Sequence, residues 1–125
     1  MKPILIVDDE AIVRESIRDW LNDAGYKVSV AESGEAALKL IEQQDFGMMI
    51  LDLRLPGIDG LAVLKRVKVI KPEIKTVVIT AYPTMLTQEE ASKLGAIDYL
   101  VKPVFPDKLE ELIRETIGQA DKEKK

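Results

Sequence analysis

Three features of the sequence predict a doubly wound α/β fold on a five-stranded parallel sheet with five flanking helices. Two runs, Ile4-Leu5-Ile6-Val7 and Met48-Met49-Ile50-Leu51, are apolar without alternation, as strands covered on both faces are. Both runs end in carboxylates, Asp8-Asp9 after the first and Asp52 after the second. Strand and helix signals then alternate along the chain, and parallel neighbours need such crossovers, which are right-handed.

The first helix is marked by Ile12, Val13, Ile17, Trp20, Leu21 and Ala24 at helical spacing, and it stops at Gly25. Tyr26 to Ala31 alternates as a shorter strand, and Lys27 and Ser29 on one side suit a sheet edge. Ser33 is placed to cap the helix that carries Ala37, Leu40 and Ile41, and Gly47 to Leu51 forms the next strand. The third helix carries Leu61, Leu64 and Val67 and ends before Pro72; Val77-Val78-Ile79 is the fourth strand. Gln88 to Leu94 reads as a weakly amphipathic helix closed by Gly95, followed by a strand from Ile97 to Val101. Pro106 and Asp107 suit the first turn of a last helix with the stripe Leu109, Leu112, Ile113, Thr116 and Ile117. The first strand, being wholly apolar, is the candidate for the sheet centre.

At 125 residues the chain reads as one domain over 1–119, with 120–125 a charged tail or the start of a linker. The absence of cysteine and histidine excludes disulfides, thiolate or imidazole metal sites, and Ser-His triads. A net charge of -4 without a basic stripe argues against a nucleic-acid surface. The first apolar run is too short for a signal-peptide core or a membrane span, so a cytoplasmic protein without membrane contact is expected.

In a parallel sheet all carboxyl ends share one edge, so Asp8, Asp9, Asp52, Thr80 and Lys102 should crowd one crevice where strands one and three separate. Taken singly, the first two acids suit a helix N-cap, Thr80 a β-branched strand residue, and Lys102 a loop cation. Together they suit phosphoryl chemistry. Clustered carboxylates repel unless a cation relieves them, and Mg²⁺, or Mn²⁺ in its place, fits an oxygen-only set. Asp52 would then be the nucleophile that forms an acyl phosphate, Lys102 would neutralise a phosphate oxygen, and Thr80 would donate its hydroxyl to another. A contact present only with the phosphoryl group is what a switch requires.

Four segments carry a resemblance to the receiver domains of two-component response regulators, up to about residue 119. They are Ile4 to Glu10, the run Leu51-Asp52-Leu53-Arg54-Leu55-Pro56-Gly57-Ile58-Asp59-Gly60, then Ile79-Thr80-Ala81, then Gly95 to Pro103. The resemblance implies the strand order 2-1-3-4-5 and Asp52 as phosphoacceptor. It implies Mg²⁺ bound by Asp9, Asp52 and the Arg54 backbone carbonyl, with Asp8 assisting through water. It also implies phosphate contacts from Thr80 and Lys102, Tyr99 as a switch aromatic, and a cis Lys102-Pro103 bond. From residue type alone, Tyr99 would keep its hydroxyl in solvent and Lys102-Pro103 would be trans, since about 5–6% of X-Pro bonds are cis.

Arg54 and Tyr82 flank the phosphoryl position and are expected to tune its lifetime, while Ala81 leaves the crevice open; Gly57 and Gly60 serve the turn behind Asp52. With no histidine in the chain, the donor must be another protein or domain, a sensor histidine kinase or a histidine phosphotransfer domain. By resemblance it docks at Val13, Arg14, Val104 and Phe105, although periodicity equally places Val13 in the core. The face of helix four, strand five and helix five would signal to an output domain or protein, or form a homodimer on phosphorylation. The chain would catalyse only its own phosphorylation and dephosphorylation. A Mg²⁺-dependent phosphohydrolase with an aspartate nucleophile is the alternative, but short loops leave little room for a second acid or a lid. A flavodoxin-like cofactor binder is opposed by acids that would repel a flavin phosphate.

Overall fold

The computed structural model describes residues 2–118. Its elements alternate as β1 (Ile4–Val7), α1 (Ala11–Asp23), β2 (Val28–Ala31), α2 (Gly34–Gln43), β3 (Met48–Asp52), α3 (Gly60–Ile70), β4 (Lys75–Thr80), α4 (Met85–Lys93), β5 (Asp98–Val101) and α5 (Pro106–Ile117). All pairings are parallel and the order is β2-β1-β3-β4-β5. β3 is central and β1 lies beside it, one place from the expected position. Both are fully buried, so apolarity alone does not separate a central strand from its neighbour. The charged tail read at 120–125 lies outside the described residues.

The alternation of side chains divides the core in two. Leu5, Val7, Met49, Leu51 and Val78 meet Ala37 and Ile41 of α2, Val63, Leu64 and Val67 of α3 and Ala91 of α4. On the other face, Ile4, Ile6, Met48, Ile50, Val77 and Ile79 meet Ile17 and Leu21 of α1 with Leu109 and Ile113 of α5. Helix starts follow local chemistry: Ser33 Oγ accepts from the Ala36 amide, Asp59 Oδ1 from that of Ala62, and Thr84 Oγ1 from that of Thr87. Among the described residues no helix is long and apolar enough to cross a membrane.

Three local readings shift. Tyr26 lies before β2 rather than in it: Gly25 turns the chain at φ 98°, and the Tyr26 amide then donates to the Leu21 carbonyl at the end of α1. Its ring is still buried, and its hydroxyl donates to the Gly118 carbonyl at 3.0 Å, tying the turn before β2 to the end of α5. Ile12, expected on the α1 stripe, is 83% exposed, because Ile17 and Leu21 define the buried line. α4 begins at Met85, three residues before the first expected position, because Thr84 caps it.

One core group lacks a partner. Thr76 of β4 is fully buried, and its hydroxyl has no hydrogen bond among the described residues. Such a group carries its desolvation cost uncompensated. Thr76→Val, which keeps the shape, is predicted to raise stability by about 1 kcal/mol. A urea midpoint that does not rise would refute this account.

Candidate functional site

Register brings the polar strand ends level. Val7 pairs with Leu51, Asp52 with Ile79 and Thr80 with Val101, so Asp8, Asp52, Thr80 and Lys102 fall within about one residue of a common line. Backbone bonds extend the ladder past the strands: the Asp8 amide donates to Ala31, Leu53 to Ile79 and Lys102 to Thr80. Gly60 completes the support. A Cβ there would stand 2.4 Å from the Asp52 carbonyl oxygen, so only glycine lets the start of α3 approach Asp52 this closely.

Asp52 lies buried at the floor of a cavity of about 520 Å³, lined also by Asp9, Arg54, Ala81, Tyr82 and Lys102. Its Oδ1 accepts the Arg54 amide at 3.0 Å and its Oδ2 accepts Lys102 Nζ at 2.8 Å. The same ammonium donates to Glu10 Oε1 at 2.7 Å and lies 3.0 Å from Asp8 Oδ2. Asp8 is fully buried. Its Oδ1 accepts the Glu10 amide at 2.9 Å, whereas Oδ2, despite the nearby ammonium, has no aligned hydrogen-bond donor. Arg14 Nη1 donates to the Asp8 carbonyl at 2.8 Å, which fixes the loop from the α1 side.

Burial pushes the Asp8 carboxyl up from 3.8 to about 6, against the lowering effect of the Glu10 amide and Lys102; the Asp52 charge adds to the rise. For Lys102, burial opposes the charge, but hydrogen bonds to Asp52 and Glu10 and the ion pair with Asp8 outweigh it and hold the ammonium above the usual lysine range.

The donor set fits a hard divalent cation. One carboxylate oxygen from each of Asp8, Glu10 and Asp52 lies within 4.8 Å of the others, all ligands are oxygen, and Asp8 Oδ2 is buried without a hydrogen bond. Asp9, read as a ligand, is exposed and lines the cavity outside this group of three. Glu10 carries no sequence signal for a place in this site: it stands two residues after Asp8, and nothing in its type indicates that it turns toward Lys102.

The remaining residues are distributed around this centre. Thr80 is buried, and its Oγ1 accepts the Tyr82 amide at 3.0 Å. The Tyr82 ring lies under the Arg54 guanidinium, 4.6 Å from Cζ to the ring centroid. Tyr99 is half-buried; its hydroxyl is 2.8 Å from Thr87 Oγ1 and accepts the Thr84 amide at 3.3 Å, at the start of α4. Lys102-Pro103 is cis, as the resemblance implied. Val13 and Val104 line a second, apolar groove of about 410 Å³ with Ile12, Trp20 and Pro103. Phe105 is exposed outside that lining, and Arg14 is occupied with the Asp8 carbonyl.

The model of the response regulator receiver domain matches residues 4–114. The transcriptional regulatory protein ZraR of Escherichia coli is 37% identical over 119 residues, which are 92% of this chain and 26% of that protein. FixJ of Bradyrhizobium diazoefficiens is 35% identical over 118 residues, 94% of this chain and 58% of that protein. Among solved structures, a CheY-like receiver domain protein of Methanospirillum hungatei superposes with a TM-score of 0.89 at 32% identity, covering 92% of each chain. TrrA of Thermotoga maritima, crystallised with Mg²⁺ and BeF, superposes with a TM-score of 0.83 at 36% identity, covering 94% of this chain and 100% of that one. The chain spans about a quarter of the length of ZraR.

The Asp8 environment sets a pH dependence. The folded-state value of about 6 stands above the unfolded value of 3.8, so the folded state binds the proton more tightly. This group therefore adds stability as pH falls through 6, and the gain is complete near 4. Asp8→Asn, which never carries the charge, is predicted to be more stable than the natural sequence at pH 7.5 in metal-free buffer. Its advantage should shrink between pH 6 and 4; urea midpoints of both proteins across that range provide the check, and a constant difference would contradict it.

Proposed function

The chain belongs to the response regulator receiver domain family, and on that premise we propose that it takes a phosphoryl group onto Asp52 from a phosphohistidine of another protein. The observation that carries this reading is Asp52 itself. It is a buried carboxylate ending the central strand at the floor of an open cavity, with one oxygen on a fixed amide and the other on a movable ammonium.

In the transfer, an Asp52 oxygen bonds to phosphorus as the phosphorus–nitrogen bond of the donor breaks, and the departing imidazole takes a proton. Mg²⁺ held by Asp8, Asp9, Asp52 and the Arg54 carbonyl, or Mn²⁺ in its place, would neutralise charge on the phosphoryl oxygens. Lys102 follows the new charge from Asp52 Oδ2 to a phosphoryl oxygen. Thr80 exchanges its bond with the Tyr82 amide for a donated bond to a second oxygen, and in this reading the Tyr99 ring moves into the space it vacates. Tyr99 in turn holds Thr84 and Thr87 at the start of α4, so its movement loosens that helix end.

The donor class is a sensor histidine kinase or a histidine phosphotransfer domain, and the apolar groove at Val13 and Val104, with Phe105 and Arg14 beside it, is its docking surface. We read residues 1–119 as the receiver domain, acting on an output domain or protein, with a homodimer on phosphorylation as one form of output. A phosphohydrolase reading is not favoured by the family match.

Mass spectrometry after treatment with acetyl phosphate and Mg²⁺ tests the assignment. One base-labile phosphoryl group is expected on the natural sequence and none on Asp52→Asn; labelling that survives the substitution would overturn it.

Arg54 stacks on Tyr82 and both line the Asp52 cavity, and to this pair we assign restriction of the water that would attack the acyl phosphate. Such a pair is worth about 0.5–1 kcal/mol, so Arg54→Ala or Tyr82→Ala is predicted to hasten phosphate loss roughly two- to fivefold. Half-lives that match the natural sequence would remove lifetime control from this pair.

A further inference from the structure

We propose that Glu10 is a positioning residue for Lys102, holding its ammonium when a divalent cation takes the Asp8 and Asp52 carboxylates. The inference deepens the phosphoacceptor reading and rests on it. Its starting point is competition for the same atoms. Lys102 Nζ faces Oδ2 of both Asp8 and Asp52, and these are the oxygens without a backbone donor. A cation bound by those carboxylates must compete with the ammonium for them. Lys102 cannot simply withdraw, because its side chain is 10% exposed and a buried unpaired ammonium is costly.

Glu10 offers the place to go. It makes the shortest of the three contacts to Nζ, 2.7 Å, and its side chain is 59% exposed, so it can move with the ammonium, whereas Asp8 and Asp52 are buried and tied by their own Oδ1 bonds. Glu10 stands at the N-cap position of α1 yet makes no side-chain cap. Glutamate caps poorly, and here the carboxylate turns away from the helix to Lys102. Glu10 and Lys102 line both the phosphoacceptor cavity and the apolar groove, so the pair can shift outward along their common wall. Moving the ammonium onto Glu10 thus lowers the cost of surrendering two aspartates to the cation.

A double-mutant cycle on metal affinity tests this, with Mn²⁺ as the probe and the free-ion electron paramagnetic resonance signal as the readout. Glu10→Gln is expected to raise the Mn²⁺ dissociation constant about three- to fivefold, the scale of a half-exposed ion pair. The same substitution in a Lys102→Met background should raise it less, since Glu10 acts through Lys102. Where Lys102→Met does not fold by circular dichroism, Lys102→Gln takes its place in the cycle. An equal rise in both backgrounds would make Glu10 a direct ligand and overturn the proposal, as would no rise in either. Natural-sequence protein that leaves the free Mn²⁺ signal unchanged would sink the metal reading as well, whereas binding indifferent to Glu10 sinks this inference alone.

Discussion

One ammonium holds the carboxyl edge of the sheet together. Lys102 Nζ lies within 3.0 Å of carboxylate oxygens from Asp8, Glu10 and Asp52, and two of those acids are buried. Two buried carboxylates side by side would be prohibitive without a cation, because desolvation and mutual repulsion act in the same direction. The raised Asp8 carboxyl is the part of that cost which Lys102 leaves uncompensated. The fold supplies the ammonium by register: β5 pairs with β4 up to Val101, and the Lys102 amide continues onto the Thr80 carbonyl. Moving that strand by one residue would send Lys102 to the opposite face and leave the acids unpaired.

The connection from this centre to the surface runs through α4. Thr80 bonds the Tyr82 amide, the chain continues to the cap residue Thr84, and Tyr99 returns from β5 to bond both Thr84 and Thr87. α4 buries only Ala91 and exposes Met85 and Leu86, so its placement owes more to these end contacts than to core packing. An element held by a few polar contacts has a low cost of local rearrangement. That is the property required of the element a switch displaces, and α4 begins five residues beyond Thr80, whose hydroxyl would sense the phosphoryl group.

Much of this was legible in the residues, for a definite reason. Asp8, Asp52, Thr80 and Lys102 each end an apolar run or follow it by one residue, and in a parallel sheet that position is a location in space. The caps Ser33 and Thr84 differ instructively. Ser33 precedes a clear amphipathic pattern, whereas Thr84 opens a helix whose apolar residues Met85 and Leu86 point outward, so periodicity hid its first turn. Ile12 misleads for the converse reason: it is apolar, but nine residues from Leu21 is about 180° around α1, the face opposite the buried line. Glu10, the Arg14 bond to the Asp8 carbonyl and the orphan hydroxyl of Thr76 depend on where side chains turn after the backbone is set. No spacing rule carries that information.

The two cavities are not independent. Glu10, Ala81 and Lys102 line both, so the wall between the phosphoacceptor cavity and the apolar groove is one acid, one methyl group and one cation. A larger side chain than Ala81 would narrow the passage above Asp52, and the apolar flank at Val13 and Val104 gives a partner something to bury. In the proposed reading, a donor seated there meets the Lys102 ammonium before its phosphoryl group reaches Asp52. Docking and charge neutralisation then use the same wall, which ties recognition of the donor to the ion pairs that keep the site folded.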